Sequence, residues 1–348
     1  MRPDVTTHPA DNPHSSPAPE GSGAGRLHPI TLVPGDWIGP ETCRIAQEVL
    51  DAAGARIDWD EQVLNADTVD QVAASCRRNG VALCARVDAS PTPGRVPPTI
   101  ALRKALRTWA AVRPVRPLPH TGARFPDLDI FVVRETSEDI YAGYEHEVTD
   151  GVYEAIKITT EAACERIARW AYHVATRHGR RKVTIVHKSN IMKQSDGLFL
   201  RTAQRVGAEH PDIETEEVIV DALCMKLVRW PQNFDVLLMG NLFGDIVSDL
   251  VSGLAGGITA ATTLSYGDGV ALFSNPHGKA PDLVGRNLAN PLPMIQAASY
   301  MMRHLGETDI HERLQRAMAQ VLRDGVRTPD LGGSHTSTQV RDAIIARL

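Results

Sequence analysis

Asp245 and Asp249 stand four residues apart in the stretch Leu242-Phe243-Gly244-Asp245-Ile246-Val247-Ser248-Asp249. On a helix that spacing puts both carboxylates on one face, where they repel unless a cation lies between them. Carboxylates with water suit a hard divalent ion such as Mg2+ or Mn2+. Asp221 follows the apolar run Val218-Ile219-Val220 and is a candidate third ligand. An alternative leaves Asp245 as a helix N-cap and Asp249 as a solvated surface residue. A second set is cationic: Arg103, Arg113 and Arg134 lie in separate segments, each beside apolar residues. An unpaired guanidinium behind a buried strand is costly, and arginine's planar fork is a natural clamp for carboxylates. Three unrelated surface or salt-bridged arginines fit the spacing equally well.

A third set pairs Tyr141 with Lys188, which directly follows an apolar run. Partial burial there lowers a lysine pKa towards the range useful for proton transfer. The plain alternative is a structural tyrosine and a lysine paired with some acid. The fourth set is the loop His277-Gly278-Lys279-Ala280-Pro281-Asp282, with Asn290 beyond it. It has the make-up to wrap a nucleotide, yet on its own it is only a turn-rich loop. Neither a G-x-G-x-x-G after a strand nor a G-x-x-x-x-G-K-[ST] occurs, so any nucleotide binds by a non-Rossmann route. The G-x-S-x-G elbow of many serine hydrolases is also missing.

Regular elements must position these residues. Residues 30–33 read as a short buried strand ending at Pro34-Gly35. Residues 129–133, 183–186 and 236–239 are apolar runs of the kind found in central strands covered on both faces. Apolar spacing predicts helices over 41–53, 161–178, 245–254 and 291–305, with Gly54 and Gly179 as stops. Strands alternating with helices imply an α/β protein. Loops rich in glycine and proline interrupt the pattern at 91–98, 114–126 and 275–291, and long irregular loops tend to be functional.

The whole chain narrows the classes. It has 348 residues, with 43% apolar and 23% charged, the mix of a soluble globular protein. No run of ~18 apolar residues is present, so no membrane span is expected. A net charge of −5 speaks against a dedicated nucleic-acid binder. Five scattered cysteines without a CxxC exclude a disulfide framework and a zinc knuckle, and suit a reducing cytoplasm. Residues 1–27 are rich in Pro, Ser, Gly and His and predict a disordered tail. That tail lacks a hydrophobic h-region, and its Asp4, Asp11 and Glu20 speak against a transit peptide.

These clusters sit in ordered motifs: VPGDWIGPE (33–41), LRKAL (102–106), VRPVRPL (112–118) and VVRETSEDIYAGYEH (132–146). VTIVHKSNIMKQSDGLF (183–199), FDVLLMGNLFGDIVSDLVSGLAGG (234–257), HGKAPDLVGRNLANP (277–291) and TPDLGG (328–333) follow. Together they resemble the β-decarboxylating dehydrogenases of isocitrate, isopropylmalate and homoisocitrate, with the NAD-dependent isocitrate enzymes nearest in detail. The resemblance implies an α/β fold with a discontinuous large domain, 28–108 and 256–348. A smaller domain, 109–255, would carry an arm at 145–158 that clasps the partner of an obligatory homodimer. It implies that Arg103, Arg113 and Arg134 hold a malate-like substrate, with Asn190 near the nicotinamide. Asp245 and Asp249 would bind Mg2+ or Mn2+ with Asp221 of the partner subunit. Lys188, also from the partner, would assist loss of the hydroxyl proton, and Tyr141 would protonate the enol after CO2 leaves. His277, Gly278, Ala280, Pro281, Asp282 and Asn290 would hold the cofactor, and Asp282 implies NAD+ because a carboxylate there repels the 2′-phosphate of NADP+.

The expected reaction is oxidative decarboxylation of isocitrate or an isocitrate-like 2-hydroxy acid. Alternatives are a phosphonate analogue such as 3-phosphonomethylmalate, homoisocitrate, isopropylmalate, or a catalytically silent regulatory subunit. The last is opposed by the retained arginines, lysine and aspartates. Several positions depart from the family pattern: Pro97 replaces a serine, Thr99 an asparagine and Trp37 a glycine. Val87-Asp88 replaces a Gly-Pro, and Ser274 stands where Phe-Glu is common. Thr99 is expected to cap a helix over 100–107, whose N-terminus, with Arg95 and Arg103 nearby, would favour an anionic substrate tail.

Overall fold

A computed structural model describes residues 26–88, 96–257, 262–275 and 278–348. The expected tail up to residue 25, Arg95 and His277 lie outside the described residues. Twelve strands are seen among the described residues: β1 His28–Val33, β2 Ile57–Glu61, β3 Val81–Cys84, β4 Ala110–Val115, β5 Ile130–Glu135, β6 Glu145–Thr149, β7 Val152–Ala155, β8 Lys182–His187, β9 Glu214–Ile219, β10 Val236–Met239, β11 Thr263–Gly267 and β12 Val270–Ser274. The α-helices are α1 Gly39–Ala52, α2 Val69–Asn79, α3 Pro98–Ala105, α4 Glu161–Arg177, α5 Ser195–Gly207, α6 Val220–Arg229, α7 Asn241–Leu254, α8 Leu292–His304, α9 Thr308–Arg323 and α10 Ser337–Ile345. No described helix is long and apolar enough to cross a membrane.

Ten strands form one mixed sheet in the order β2-β1-β3-β12-β11-β4-β5-β10-β8-β9. The first four are mutually parallel, as are β5, β10, β8 and β9. Antiparallel pairing joins the halves through β12–β11, β11–β4 and β4–β5. The continuous apolar strands β8 and β10 lie inside the sheet, covered on both faces, as their composition predicts. One face is a single large core under α1, α4, α5, α8, α9 and α10. Residues Leu292–Met302 of α8 are all buried, which is why that helix is apolar around most of its circumference.

The other face carries two separate cores. One lies under α2 and α3, against β1, β3 and β12. The second lies under α6 and α7, against β5, β8 and β10. Between them Ala111 of β4 and Ser265 of β11 pair with each other, and both are buried.

The β6–β7 hairpin stands outside the sheet with every residue exposed. It turns at Asp150-Gly151, where Gly151 takes the left-handed conformation. Its Tyr153 is 63% exposed, and Ile246 on the outer side of α7 is 58% exposed. An isolated two-stranded hairpin is marginal in water.

Two helix expectations need correction. α7 starts at Asn241, four residues earlier than its spacing predicts, so Asp245 is an interior residue and not an N-cap. Packing on β5 carries the helix through Gly244, which on propensity alone reads as a break. Likewise α3 starts at Pro98 and Thr99 caps nothing: the N-cap is Pro97. Proline's preset φ suits the first helical turn, so Pro97-Pro98 moves the start forward.

Candidate active site

Arg113 and Arg134 come from neighbouring antiparallel strands. In the β4–β5 register Arg134 faces Ala111, and Arg113 lies two residues on, so both side chains leave the same face. α7 crosses that face and presents Asp245 and Asp249 one turn apart. Arg113 Nη1 donates to Asp249 Oδ1 at 2.6 Å, and Arg134 Nη1 is paired with Asp245 Oδ1. Each arginine side chain is only 13% exposed, while Asp249 is 80% exposed. The guanidiniums are therefore held against the sheet, and the carboxylates reach towards solvent. Tyr141, in the short 3₁₀ turn Ile140–Ala142, donates its hydroxyl to Asp245 Oδ2 at 2.7 Å. The Arg134 guanidinium lies 5.2 Å from the centre of the same tyrosine ring.

The charges explain the titration behaviour. Burial raises the Tyr141 phenol, and its hydrogen bond to anionic Asp245 raises it further, so at neutral pH it is a proton donor. Burial pushes Asp245 up too, but the Tyr141 hydroxyl and the Arg134 and Arg113 charges outweigh that and leave it below the usual carboxylate range. Arg103, on α3, is exposed. Crowding by protein atoms, then the nearby Arg134 charge, holds its pKa below the ordinary arginine value. Cations gathered without enough anions make a site that wants an anionic ligand.

Lys188 and Asp221 form a second unit. β8 and β9 pair His187 with Ile219, so the residues that follow emerge side by side. Lys188 Nζ donates to Asp221 Oδ1 at 2.6 Å, which lowers the carboxyl pKa, and Asp221 is 70% exposed. Asn190 follows in the same turn and is exposed. Among the described residues, no three His, Cys, Asp or Glu side chains of one chain gather to hold a metal. Asp221 thus stays apart from the Asp245–Asp249 pair within a single chain.

Gly278 to Asp282 form a loop after β12, and Ala280 adopts a left-handed φ of +43° before the 3₁₀ turn Pro281–Leu283. Lys279 Nζ meets Asp88 Oδ1 at 2.7 Å, tying the loop to the end of β3. Asn290 Nδ2 donates to Asp330 Oδ2 at 2.8 Å, and its Oδ1 accepts from Leu292 N–H, so it fixes the start of α8. Thr99 lies on α3 one turn before Arg103. Its helix end offers less than expected. Pro97 and Pro98 have no N–H, and the Ile100 and Ala101 N–H groups both turn back to the Pro97 carbonyl, at 2.9 and 3.0 Å.

Three residues escaped the sequence reading. Asn241 Oδ1 accepts from Arg134 Nε and Nη2 at 3.0 and 2.6 Å, while its Nδ2 donates to the Glu138 carbonyl at 3.0 Å. Gly244 makes room for Arg134: a Cβ there would lie 2.4 Å from Arg134 Cγ. Asp139 accepts from Lys157 Nζ at 3.2 Å and from Leu242 N–H at 3.0 Å, pinning the Tyr141 turn to the start of α7. Only Gly244, a glycine inside a helical pattern, left a signal in the sequence.

Residues 29–344 match the family described as isocitrate/isopropylmalate dehydrogenase. The chain is 40% identical to the mitochondrial NAD isocitrate dehydrogenase catalytic subunit 5 of Arabidopsis thaliana, over 91% of this chain and 88% of that protein. It is 38% identical to one of the mitochondrial NAD isocitrate dehydrogenase regulatory subunits of Dictyostelium discoideum, over 94% of each. A crystal structure of isocitrate dehydrogenase from Methylococcus capsulatus superposes with a TM-score of 0.85 at 39% identity, covering 92% of this chain and 99% of that one.

Proposed function

The chain belongs to the isocitrate/isopropylmalate dehydrogenase family, and from that premise we propose that it oxidatively decarboxylates isocitrate, or a close 3-substituted malate, using NAD+ and Mg2+ or Mn2+. The observation that carries the reading is the single sheet face on which Arg113, Arg134, Tyr141, Asp245 and Asp249 converge. Two carboxylates one turn apart, open to solvent, are the hard oxygen donors that a divalent ion takes. In the free chain the arginines neutralise them. A carboxylate substrate and its metal would replace those internal pairs.

Arg103, Arg113 and Arg134 hold the substrate carboxylates and fix the reacting groups in place. Asp245 and Asp249, with Asp221 of the partner subunit, would hold the divalent ion, which would supply polarisation of the C2 oxygen, and the Gly278–Asp282 loop would hold NAD+, which would supply the hydride acceptor. Lys188 of the partner subunit takes the hydroxyl proton, giving a 2-oxo acid with a carboxylate on C3. The bond from C3 to that carboxylate breaks, CO2 leaves, and its electron pair becomes the enolate. Tyr141 then delivers its proton to C3. The separation of Asp221 and Lys188 from the Tyr141 cluster within one chain supports sites shared between two copies. The exposed hairpin and the apolar outer side of α7 support the same arrangement.

NAD+ is favoured by Asp282, whose exposed carboxylate suits ribose hydroxyls and opposes a 2′-phosphate. Five free thiols suit a reducing compartment. Kinetics with isocitrate, homoisocitrate, isopropylmalate and 3-phosphonomethylmalate, each with NAD+ and NADP+, test the reading. The highest kcat/KM is expected with NAD+ and an anionic-tailed malate. Preference for isopropylmalate would refute the tail assignment, preference for NADP+ the cofactor assignment, and no turnover by the purified chain would favour a regulatory role.

A further inference from the structure

Trp37 breaks a backbone rule as well as the family pattern. Its φ is +57°, a left-handed conformation that glycine adopts freely and a bulky aromatic residue rarely does. The turn is fixed around it. Asp36 N–H donates to the Arg86 carbonyl and Gly39 N–H to the Asp36 carbonyl, both at 2.9 Å. Burial does not offset the strain, because Trp37 is 43% exposed. Strain of this kind persists where it positions something. The indole Nε1 donates to Asp88 Oδ2 at 3.4 Å, and Asp88 Oδ1 meets Lys279. Asp88 N–H in turn donates to Asp36 Oδ2 at 2.8 Å. The β1–α1 turn, the end of β3 and the Gly278–Asp282 loop are thereby joined around one exposed ring.

We propose that Trp37 is a stacking platform for the nicotinamide ring, oriented by Asp88 and Lys279. The proposal rests on the dinucleotide reading above. Hydride transfer needs that ring beside the substrate. Cys84, the last residue of β3, lies close enough to Arg103 of α3 for each to sense the other's charge, so the end of β3 that Asp88 extends, and Trp37 with it, stands on the substrate side of the loop. Asp282 and Asn290, further along, are left for the adenosine half. The face of an indole attracts a cation, and the oxidised nicotinamide is cationic while the reduced ring is not. Trp37 therefore holds NAD+ more tightly than NADH and favours product release.

Calorimetric titration of the full chain with NAD+, NADH and ADP-ribose, in wild type, Trp37→Gly and Trp37→Phe, tests this. Glycine suits the backbone, so Trp37→Gly should melt at or above the wild-type temperature. It should bind NAD+ about tenfold more weakly and ADP-ribose, which lacks the nicotinamide, as wild type does. Trp37→Phe should keep most of the NAD+ affinity, and NAD+ should quench an indole emission that both variants lack. Unchanged NAD+ affinity in Trp37→Gly would overturn the proposal. So would an equal loss for ADP-ribose, which would put the indole on the adenosine half. If wild type takes NADP+ instead, the same series with NADP+ and 2′-phospho-ADP-ribose tests the platform apart from cofactor choice.

Discussion

Tyr141 and Lys188 each hold a hydrogen bond to a different aspartate, Asp245 and Asp221, and this separates the two proton transfers assigned to them. Lys188→Met should slow the hydride step, so deuterium at C2 of the substrate should give a larger isotope effect on kcat than in wild type. Tyr141→Phe should slow protonation of the enol, so C2 deuterium should have almost no effect on its reduced kcat. Equal isotope effects in the two variants would contradict the assignment. Lys188 stood out in the sequence because it directly follows an apolar run, while the roles of Lys188 and Tyr141 came from the family resemblance. Asn241 did not stand out, because its role is to accept from Arg134, and that contact exists only once α7 lies across β5.

At the scale of elements, α7 can bring Asp245 to Arg134 only because Gly244 lacks a side chain. Gly244→Ala should push Arg134 aside, destabilise the protein by about 1–3 kcal/mol through overpacking, and raise the substrate KM more than tenfold (~1.4 kcal/mol or more). A melting curve and steady-state kinetics check both, and a wild-type KM would show that Arg134 does not bind substrate. On the opposite face His178 directly follows α4, His304 ends α8, and α9 carries His311. Burial and then neighbouring arginine charge hold these rings down, His178 to about 3 and the other two to about 4. The folded state therefore refuses protons that the unfolded chain takes up below its ordinary value of 6.5. Stability is full above that pH and is lost as pH falls towards 4. The melting temperature should drop between pH 7 and pH 5, and His178→Gln should flatten the drop; an unchanged slope would show that His178 is protonated in the folded state. The existence of the central strands and α4 was readable from apolar runs and spacing. The starts of α3 and α7 were not, since proline geometry in one and tertiary packing in the other set them.

At the scale of the molecule, sheet order was beyond local patterns: β11 and β12 arrive late in the chain yet lie between β3 and β4. That insertion places the antiparallel join β12–β11–β4–β5, and with it Arg113 and Arg134, in the middle of the sheet. The account also requires two copies, with Lys188 and Asp221 serving the partner's site. Tyr141→Phe and Lys188→Met homodimers should both be nearly inactive. Unfolded together in equal amounts and refolded, half of the dimers are mixed and each has one intact site, so about a quarter of wild-type activity should return. No recovery would place Tyr141 and Lys188 of one chain in the same site. The central claim is metal-dependent oxidative decarboxylation, and its most direct measurement is the yield of NADH and CO2 from isocitrate by the purified protein with Mg2+ and with excess EDTA. Equal amounts of the two products with Mg2+, and neither with EDTA or in Asp245→Asn, are expected. NADH without CO2, or full activity in EDTA, would contradict it.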